Sequence, residues 1–266
     1  MQSSRVPKRK LKVGIVGCGV IGSLLAEACK RELSKKIELV GLNDIDEKKA
    51  KALKNRLKIS TPVLKLKQLI QKSDLVIEAA SGKASLAVAK KAISAKRDVM
   101  AMSVGGLLNQ PGLFQMAERK GCRIYLPSGA ICGLDGAKAA RIGKIKSATL
   151  TTRKPPEGLG LKALKKDKVI FEGAAMKAVK LFPKNINVSA ALSLAGIGPE
   201  KTRVKIIASP KVKRNIHEIE LVGDFGRIYT RCENVPSREN PKTSMLAALS
   251  AIATLRGIVS SVKIGT

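Results

Sequence analysis

The amino-acid sequence predicts an α/β protein, with a doubly wound parallel sheet followed by a second α+β domain. Up to residue 126, short apolar strands alternate with helical stretches of roughly 10 to 15 residues, which is typical of parallel sheets. Beyond residue 144 the strands are longer, and two of them flank Gly223-Asp224-Phe225-Gly226 like the arms of a hairpin. At 266 residues the chain is long enough for two domains.

A glycine-rich turn near the N-terminus carries the strongest functional signal. Residues 13–17 predict a buried strand, residues 23–36 a helix, and residues 37–42 a second strand. Between the first strand and the helix, Gly17, Gly19 and Gly22 form a G-x-G-x-x-G pattern. Such glycines permit a tight turn, a close approach of pyrophosphate and close packing of the helix on the sheet. The sequence therefore predicts a Rossmann-type dinucleotide site.

Other residues around this turn complete the predicted cofactor site. The helix N-terminus, at Val20 and Ile21, presents free N–H groups to the phosphates. Asp44 follows the second strand and is placed to accept hydrogen bonds from ribose hydroxyls. Ala80 and Ser81 end a further apolar strand, at the sheet edge where a parallel sheet meets its ligand.

The remaining pattern assigns the other elements and the domain limits. We expect helices at 46–57, 84–96, 113–120, 174–181, 188–194 and 244–258, and strands at 61–64, 74–80, 98–104, 122–126, 146–153, 203–208, 218–222 and 227–233. The open face of the second sheet offers a dimer interface, and the apolar last helix returns to the first domain. The predicted domains are 11–132 plus 242–266 for the dinucleotide and 133–241 for catalysis and dimerisation, after a basic tail, 1–10.

Composition limits the class of protein. Lys and Arg number 51 against 20 Asp and Glu, a net charge of +31, which attracts polyanions. The lysines are spread over nearly every helix and aromatic residues make up only 2%, so we expect incidental polyanion affinity and no dedicated nucleic-acid site. With no apolar run of about 20 residues and no signal peptide, we expect a cytoplasmic protein whose five cysteines are reduced and mostly buried.

The only histidine of the chain, His217, lies in Asn215-Ile216-His217-Glu218-Ile219-Glu220-Leu221. Strand alternation places it on the face of Ile219 and Leu221, which is the packed or cleft side. A histidine there is either a satisfied core residue or a general base, because imidazole titrates near neutrality. No zinc-ligand cluster surrounds it in the sequence, so no metal site is predicted.

Taken together, these residues resemble the L-aspartate dehydrogenase family. The resemblance covers nearly the whole chain, and its most specific segments are NINV (185–188), NIH (215–217) and NPKTS (240–244). It implies NAD(P)-dependent oxidation of L-aspartate to iminoaspartate, a homodimer, and hand-off to quinolinate synthase in NAD biosynthesis. It further implies that His217 is catalytic and that Ser128, Ala130 and Asn187 lie near the nicotinamide, with Asn187 also near the substrate. Without the resemblance, Asn187 is a plain helix N-cap.

Two details remain open at this level. Asp44 favours NAD, because the 2′-phosphate of NADP would meet a carboxylate, and Ile45 stands where many family members have an arginine. We predict that NAD is preferred and that NADP is also accepted through nearby lysines, such as Lys48 and Lys49. For a substrate carboxylate, Lys242 is a candidate, though it reads equally as a solvated helix residue.

Three alternatives stay in competition with this prediction. The first is another small amino-acid or hydroxy-acid dehydrogenase or reductase of the same layout, such as homoserine dehydrogenase or dihydrodipicolinate reductase. The second is a non-enzymatic sensor that binds NAD and, through its charge, nucleic acid. The third is a remnant that kept its fold but lost turnover. The intact Gly17, Gly19, Gly22, Asp44 and His217 argue against the last.

Overall fold

The computed structural model describes residues 9–182, 187–237 and 243–265. Within them, strands alternate with helices in the first half, and longer, mostly antiparallel strands follow in the second. In chain order the elements are β1 (Leu11–Val16), α1 (Val20–Lys30), β2 (Ile37–Asn43), α2 (Glu47–Leu57), α3 (Leu66–Lys72), β3 (Leu75–Glu78), α4 (Gly82–Ser94), β4 (Asp98–Ala101), α5 (Pro111–Arg119), β5 (Ile124–Tyr125), α6 (Leu134–Ile142), β6 (Ile145–Lys154), β7 (Lys168–Ala174), α7 (Ala175–Leu181), α8 (Asn187–Ala195), β8 (Arg203–Ala208), β9 (Asn215–Gly223), β10 (Gly226–Asn234) and α9 (Met245–Val259).

The first sheet is parallel throughout and has the strand order β2-β1-β3-β4-β5. The order reverses between β1 and β3, and ligands of such sheets bind outside the carboxyl ends of the strands at this switch point. The turns after these two strands touch there. A Cβ on Gly17, whose φ is +97°, would come within 2.5 Å of the Ala79 carbonyl carbon, so only glycine fits.

Helices cover both faces of the first sheet. On one face α1, α2 and α9 pack against Val13 and Ile15 of β1, and on the other α3, α4 and α5 pack against Val16 and Val76. Strands buried on both faces have mainly apolar sequences, as residues 13–16 of β1 and 75–77 of β3 do here. The last helix contributes Ala251 and Leu255 to the first of these cores, so the C-terminal segment packs on the N-terminal sheet.

The second sheet has the order β10-β9-β6-β8-β7, in which only β6 and β8 run parallel to each other. Helices α6 and α8 cover one face and bury Leu150, Ile219 and Leu221 against Leu192. The face of β9 and β10 that points the other way is polar, and its Tyr229 is 52% exposed. The alternation of β9 thus separates a packed face from a more exposed one.

The structure differs from the sequence-based expectations in several elements; the strand expected at 98–104 ends at Ala101, and the strand expected at 218–222 already begins at Asn215. The helix expected at 23–36 is shorter than predicted, because α1 ends at Lys30 and is followed by turns. Residues 61–64 form a single bridge, Val63 to Leu42, and not a strand, because Pro62 has no N–H for a ladder. Helix α3 and strand β7 were not expected at all. None of the helices in the described part of the chain is long and apolar enough to cross a bilayer.

Candidate active site

A cavity of about 220 Å³ lies between the two halves of the molecule. The first half contributes Ile21 at the start of α1, together with the loop at 127–130. The second half contributes His217 from β9. The other described residues that line it are Met102, Val104, Lys154, Asn187, Val188, Asn215, Thr243, Ser244 and Ala247. The cavity therefore joins the glycine turn of the parallel sheet to the histidine of the second sheet.

His217 is held in the wall of this cavity as a buried imidazole. It shares a face of β9 with Ile219 and Leu221, as strand alternation predicts, and is only 6% exposed. Its Nδ1 lies 2.9 Å from Oγ1 of Thr152 on the neighbouring strand β6. Burial, and secondarily the charge of Lys154, lower the pKa of His217 to about 4. The imidazole is consequently neutral at physiological pH.

Lys154 is a buried lysine in the same wall. It is the last residue of β6 and is 8% exposed. It follows Ala148, Leu150 and Thr152 on the strand face that packs inward, and all three are buried. Burial lowers the pKa of Lys154 to about 8, because removing an ammonium group from water disfavours its charged form.

The loop at 127–130 is fixed by hydrogen bonds from two directions. Gly129 donates its N–H to Oγ of Ser250 in α9, at 3.0 Å. Asn234 at the end of β10 donates through Nδ2 to the carbonyl oxygen of Ala130, at 3.1 Å, and accepts from Oγ of Ser244 at 2.6 Å. These bonds hold Ser128 and Ala130, two predicted cofactor residues, in the cavity wall.

Asn187 links the two halves of the site. It is the first residue of α8, and its Oδ1 accepts a hydrogen bond from the N–H of Gly105, at 3.0 Å. Gly105 lies in the short 3-10 turn that follows β4. Without the family resemblance the sequence suggests only a helix cap at Asn187, whereas its side chain reaches across to the dinucleotide half and lines the cavity.

The glycine turn has the shape that a dinucleotide requires. A Cβ on Gly22 would overlap the carbonyl oxygen of Gly17, while nothing lies within 4 Å of the position of a Cβ on Gly19. No side chain caps α1, which leaves the first N–H groups of the helix, including those of Val20 and Ile21, to an anion. The open space at Gly19 beside an uncapped helix end fits a pyrophosphate.

Asp44 stands at the edge of the same turn. Its Oδ2 accepts from the N–H of Cys18 at 2.7 Å, and its Oδ1 accepts from the N–H of Asp46 at 2.9 Å. Asp46 caps α2 through the N–H of Lys48, so Asp44 does not serve as the cap of that helix. The carboxylate is thereby fixed beside the turn, with the fully exposed Ile45 next to it.

Ala80 and Ser81 follow β3 and are exposed at the carboxyl edge of the sheet. Behind them lies Glu78, a fully buried carboxyl group in the strand that the sequence suggests is apolar. Glu78 accepts hydrogen bonds from the N–H of Ala80 and from both the N–H and Oγ of Ser103. It ties the ends of β3 and β4 together, and burial raises its pKa.

Several site residues escape the sequence analysis. Thr152, Lys154 and Asn215 were not singled out, although a lysine ending an inward-facing apolar strand face is a usable signal. Lys242, the candidate substrate residue, lies outside the described residues. Among the described residues no group of three or more His, Cys, Asp or Glu side chains is arranged to hold a metal ion.

The cysteines depart in part from the expectation that they are mostly buried. Cys18 and Cys29 are buried, but Cys132 is exposed and Cys122 and Cys232 are half-buried. The Sγ atoms of Cys132 and Cys232 are 3.3 Å apart. Cys132 thus lies at the surface, where the loop meets β10.

A dinucleotide-binding sheet that shares a cleft with a buried, neutral histidine defines a nicotinamide-dependent oxidoreductase. Two family profiles match the chain, "Homoserine dehydrogenase, NAD binding domain" over residues 17–127 and "Aspartate dehydrogenase, C-terminal" over residues 135–258. The match to the homoserine dehydrogenase profile is thus confined to the nucleotide-binding half.

Full-length relatives extend this result. The chain is 47% identical to the L-aspartate dehydrogenase of Methanosarcina barkeri and 48% identical to that of Methanosarcina acetivorans, in both cases over 96% of this chain and 100% of the relative. The crystal structure of aspartate dehydrogenase from Thermotoga maritima superposes with a TM-score of 0.78 at 28% identity, over 97% of this chain and 100% of that one. The chain belongs to the L-aspartate dehydrogenase family.

Proposed function

We propose that this chain oxidises L-aspartate to iminoaspartate with NAD(P), after which water converts the imine to oxaloacetate and ammonia. The observation that carries the proposal is the position of His217, a neutral and buried base in a cavity that the dinucleotide half also lines. The family of the chain supports the choice of L-aspartate as substrate.

The cofactor would lie along the carboxyl edge of the first sheet. The residues that would hold it are Gly17, Gly19, Val20, Ile21 and Gly22 for the pyrophosphate, Asp44 for the ribose, Ala80 and Ser81 at the sheet edge, and Ser128, Ala130 and Asn187 near the nicotinamide. When bound, the nicotinamide supplies the hydride acceptor for Cα of the substrate. The protein contributes orientation of the substrate and handling of its protons.

His217 acts as the general base in this proposal. When Nδ1–H donates to Oγ1 of Thr152, the lone pair of the imidazole is on Nε2. That nitrogen accepts a proton from the substrate ammonium or from the attacking water. Burial lowers the pKa of His217 to about 4, so the imidazole is unprotonated at neutral pH and its lone pair is available to the substrate.

NAD is the preferred cofactor in this proposal, and NADP is also accepted. The fixed carboxylate of Asp44 suits two ribose hydroxyls and opposes a 2′-phosphate. Ile45, although fully exposed beside it, offers no charge to that phosphate. The exposed Lys48 and Lys49 at the start of α2 supply the positive charge through which NADP is tolerated.

We also propose a cytoplasmic homodimer that hands iminoaspartate to quinolinate synthase, as the family resemblance implies. The exposed face of β9 and β10, with Tyr229, supports the second sheet as the dimer interface. Lys242 remains a candidate substrate residue, and the +31 charge accounts for incidental polyanion binding.

The domain limits are part of the proposal. A dinucleotide domain of 11–132 plus 242–266 and a catalytic and dimerisation domain of 133–241 follow a basic tail of 1–10. The packing of Ala251 and Leu255 in the core of the first sheet supports assigning the last helix to the first domain.

The decisive experiment is NADH formation from L-aspartate, beside L-glutamate, L-alanine, L-homoserine and L-malate. Turnover of L-aspartate alone is expected. Turnover of L-homoserine or L-malate in its place would reassign the catalytic half, and NAD binding without any turnover would favour a sensor or a remnant.

The role of His217 has its own test. His217→Ala should lower kcat by about 100-fold or more, the usual contribution of a general base, and leave NADH binding by fluorescence unchanged. Near-normal turnover in this variant would exclude His217 as the base.

A further inference from the structure

The candidate active site contains a buried cation that the proposed chemistry has not yet used. Of the described residues that line the cavity, only Lys154 carries a positive charge at neutral pH, since His217 is neutral. The proposed substrate carries two carboxylates and one ammonium group. Each carboxylate needs a positively charged partner or a set of hydrogen bonds. A lysine in that wall is the natural partner for one of them.

The position of Lys154 is set by the same strand that positions the base. Thr152 is in direct register with His217 across β6 and β9, and Lys154 is two residues further along the same face of β6. Asn215, two residues before His217 on β9, also lines the cavity. The ammonium group is close enough to His217 for its charge to help lower the pKa of the imidazole. The proposed base, His217, and the cation, Lys154, therefore line the same small cavity.

Burial of Lys154 disfavours its charged form and strengthens its interaction with an anion. An ammonium group removed from water loses hydration, which is why the pKa of Lys154 falls to about 8. A carboxylate brought into the cavity would add a charge-assisted hydrogen bond to this ammonium group in a region of low dielectric. A ligand that carries a negative charge into the cavity therefore gains from this interaction.

We infer that the ammonium group of Lys154 binds a carboxylate of the dicarboxylate substrate within the cavity lined by His217 and Asn215. This inference rests on the proposed function for the identity of the substrate. It assigns to this buried lysine the substrate-binding role for which the sequence offered Lys242.

The test compares Lys154→Met, which keeps an unbranched side chain without charge, with Lys154→Arg, which keeps the charge. Lys146→Met is the matched control, because Lys146 lies on the same strand but is exposed and paired with Asp224. The readouts are KM and kcat for L-aspartate, the dissociation constant of succinate by calorimetry with NADH bound, and the dissociation constant of NADH alone.

For Lys154→Met we expect KM for L-aspartate and the dissociation constant of succinate to rise by about 10- to 100-fold, the value of a charged hydrogen bond. Binding of NADH should not change, Lys154→Arg should recover part of the loss, and Lys146→Met should behave as the unmodified protein. Unchanged succinate binding in a folded Lys154→Met protein would overturn the inference, and so would a loss confined to kcat.

The same experiment separates this inference from the proposed function. Succinate binding is measured without turnover, so a protein that binds succinate through Lys154 but does not oxidise L-aspartate would refute the reaction and not the binding role. Binding of L-asparagine and of L-aspartate, measured in the same way with NADH bound, shows which carboxylate is involved. A smaller loss with L-asparagine than with L-aspartate assigns Lys154 to the side-chain carboxylate, and an equal loss assigns it to the α-carboxylate.

A second inference concerns the thiols of Cys132 and Cys232, whose sulfur atoms are 3.3 Å apart at the surface. Cys132 is exposed, and Cys232 lies on β10 opposite His217 of β9. The two residues are far apart in the chain, so a bond between them would join the loop that contains Ala130 to the strand whose Asn234 holds that loop. We propose that these two cysteines form a reversible disulfide.

The exchange proceeds with a small-molecule disulfide as oxidant. The exposed Cys132 thiolate attacks one sulfur of the oxidant and releases a thiol, and the Cys232 thiolate then displaces the second thiol from the mixed disulfide. Both cysteines are oxidised, the oxidant takes the two electrons, and the two protons end on the released thiols. Dithiothreitol reverses the reaction.

Thiol counting and peptide mapping test this second inference on the native protein treated with oxidised glutathione. We expect two of the five thiols to be lost and one peptide linking positions 132 and 232 to appear. Cys132→Ser or Cys232→Ser should abolish the link, while Cys122→Ser, at another half-buried cysteine, should retain it. Retention of all five thiols, or a link between other cysteines, would overturn it.

Discussion

Oγ1 of Thr152 and Nδ1 of His217 lie 2.9 Å apart, on strands whose register sets the two residues directly opposite each other. Both side chains are buried, with 3% and 6% exposure. A hydroxyl in this position can fix the imidazole ring and decide which nitrogen carries the proton. When Nδ1–H donates to this hydroxyl, the lone pair for proton transfer is on Nε2.

The first prediction concerns this hydrogen bond. Thr152→Val preserves the shape of the side chain but removes the hydroxyl, so the imidazole loses its orienting partner. We expect kcat to fall by about 10-fold, less than the loss of the base itself, with NADH binding unchanged. Thr152→Ser, which keeps the hydroxyl, should restore most of the activity in steady-state kinetics. Equal activity of the valine and serine variants would show that the hydroxyl has no positioning role.

The second prediction concerns cofactor choice. Ile45→Arg places a guanidinium beside Asp44, where it can pair with a 2′-phosphate. We expect kcat/KM for NADP to rise by about 10-fold, with a small change for NAD. Lys58→Arg, at the opposite end of α2, serves as a control that does not change the net charge. An initial preference for NADP in the unmodified protein would contradict the role given to Asp44.

The third prediction concerns stability in acid. His217 has a pKa of about 4 in the folded protein and 6.5 as a free side chain. Between these values the unfolded chain binds a proton that the folded chain does not. The free energy of unfolding therefore decreases as the pH falls from 6.5 to 4. Below pH 4 both states are protonated, and this group causes no further decrease. Relative to His217→Asn, the unmodified protein should lose up to about 3 kcal/mol over this range.

Urea unfolding of both proteins at several pH values measures this difference. Other titrating groups contribute to both curves and cancel in the comparison. Parallel curves from pH 7 to pH 4 would mean that the folded protein accepts the proton on His217, contrary to its burial.

The fourth prediction concerns Glu78. Its fully buried carboxyl group accepts hydrogen bonds from the N–H of Ala80 and from the N–H and Oγ of Ser103. Glu78→Ala leaves these donors unpaired inside the protein and should reduce the free energy of unfolding by about 2 to 4 kcal/mol. Glu172→Ala, at an exposed carboxylate paired with Lys205, should change it by less than about 1 kcal/mol. Urea unfolding measures both values. Comparable decreases in the free energy of unfolding of the two variants would show that Glu78 has no special structural role.

Local sequence was sufficient for most of the architecture of the first half, although helix α3 was not predicted. Residues that are neighbours in the chain determine the glycine turn, the buried strands and most of the helices between them. The G-x-G-x-x-G turn and Asp44 could therefore be predicted from the sequence. Prediction failed where a segment depends on the sheet around it. Residues 61–64 have strand-like composition but only one bridge to Leu42, and β7 lacks a clear pattern of its own and is defined by pairing with β8.

The sequence by itself determined the dinucleotide half, the family resemblance and the face on which His217 lies, because strand periodicity fixes that face. Only the tertiary structure decided what surrounds the histidine. Thr152 and Lys154 reach it through the register of β6 and β9, and Asn187 reaches Gly105 across the two halves. Contacts between residues so distant in the chain depend on how sheets and helices pack, and this packing also buries Lys154 and His217 and thereby shifts their pKa values.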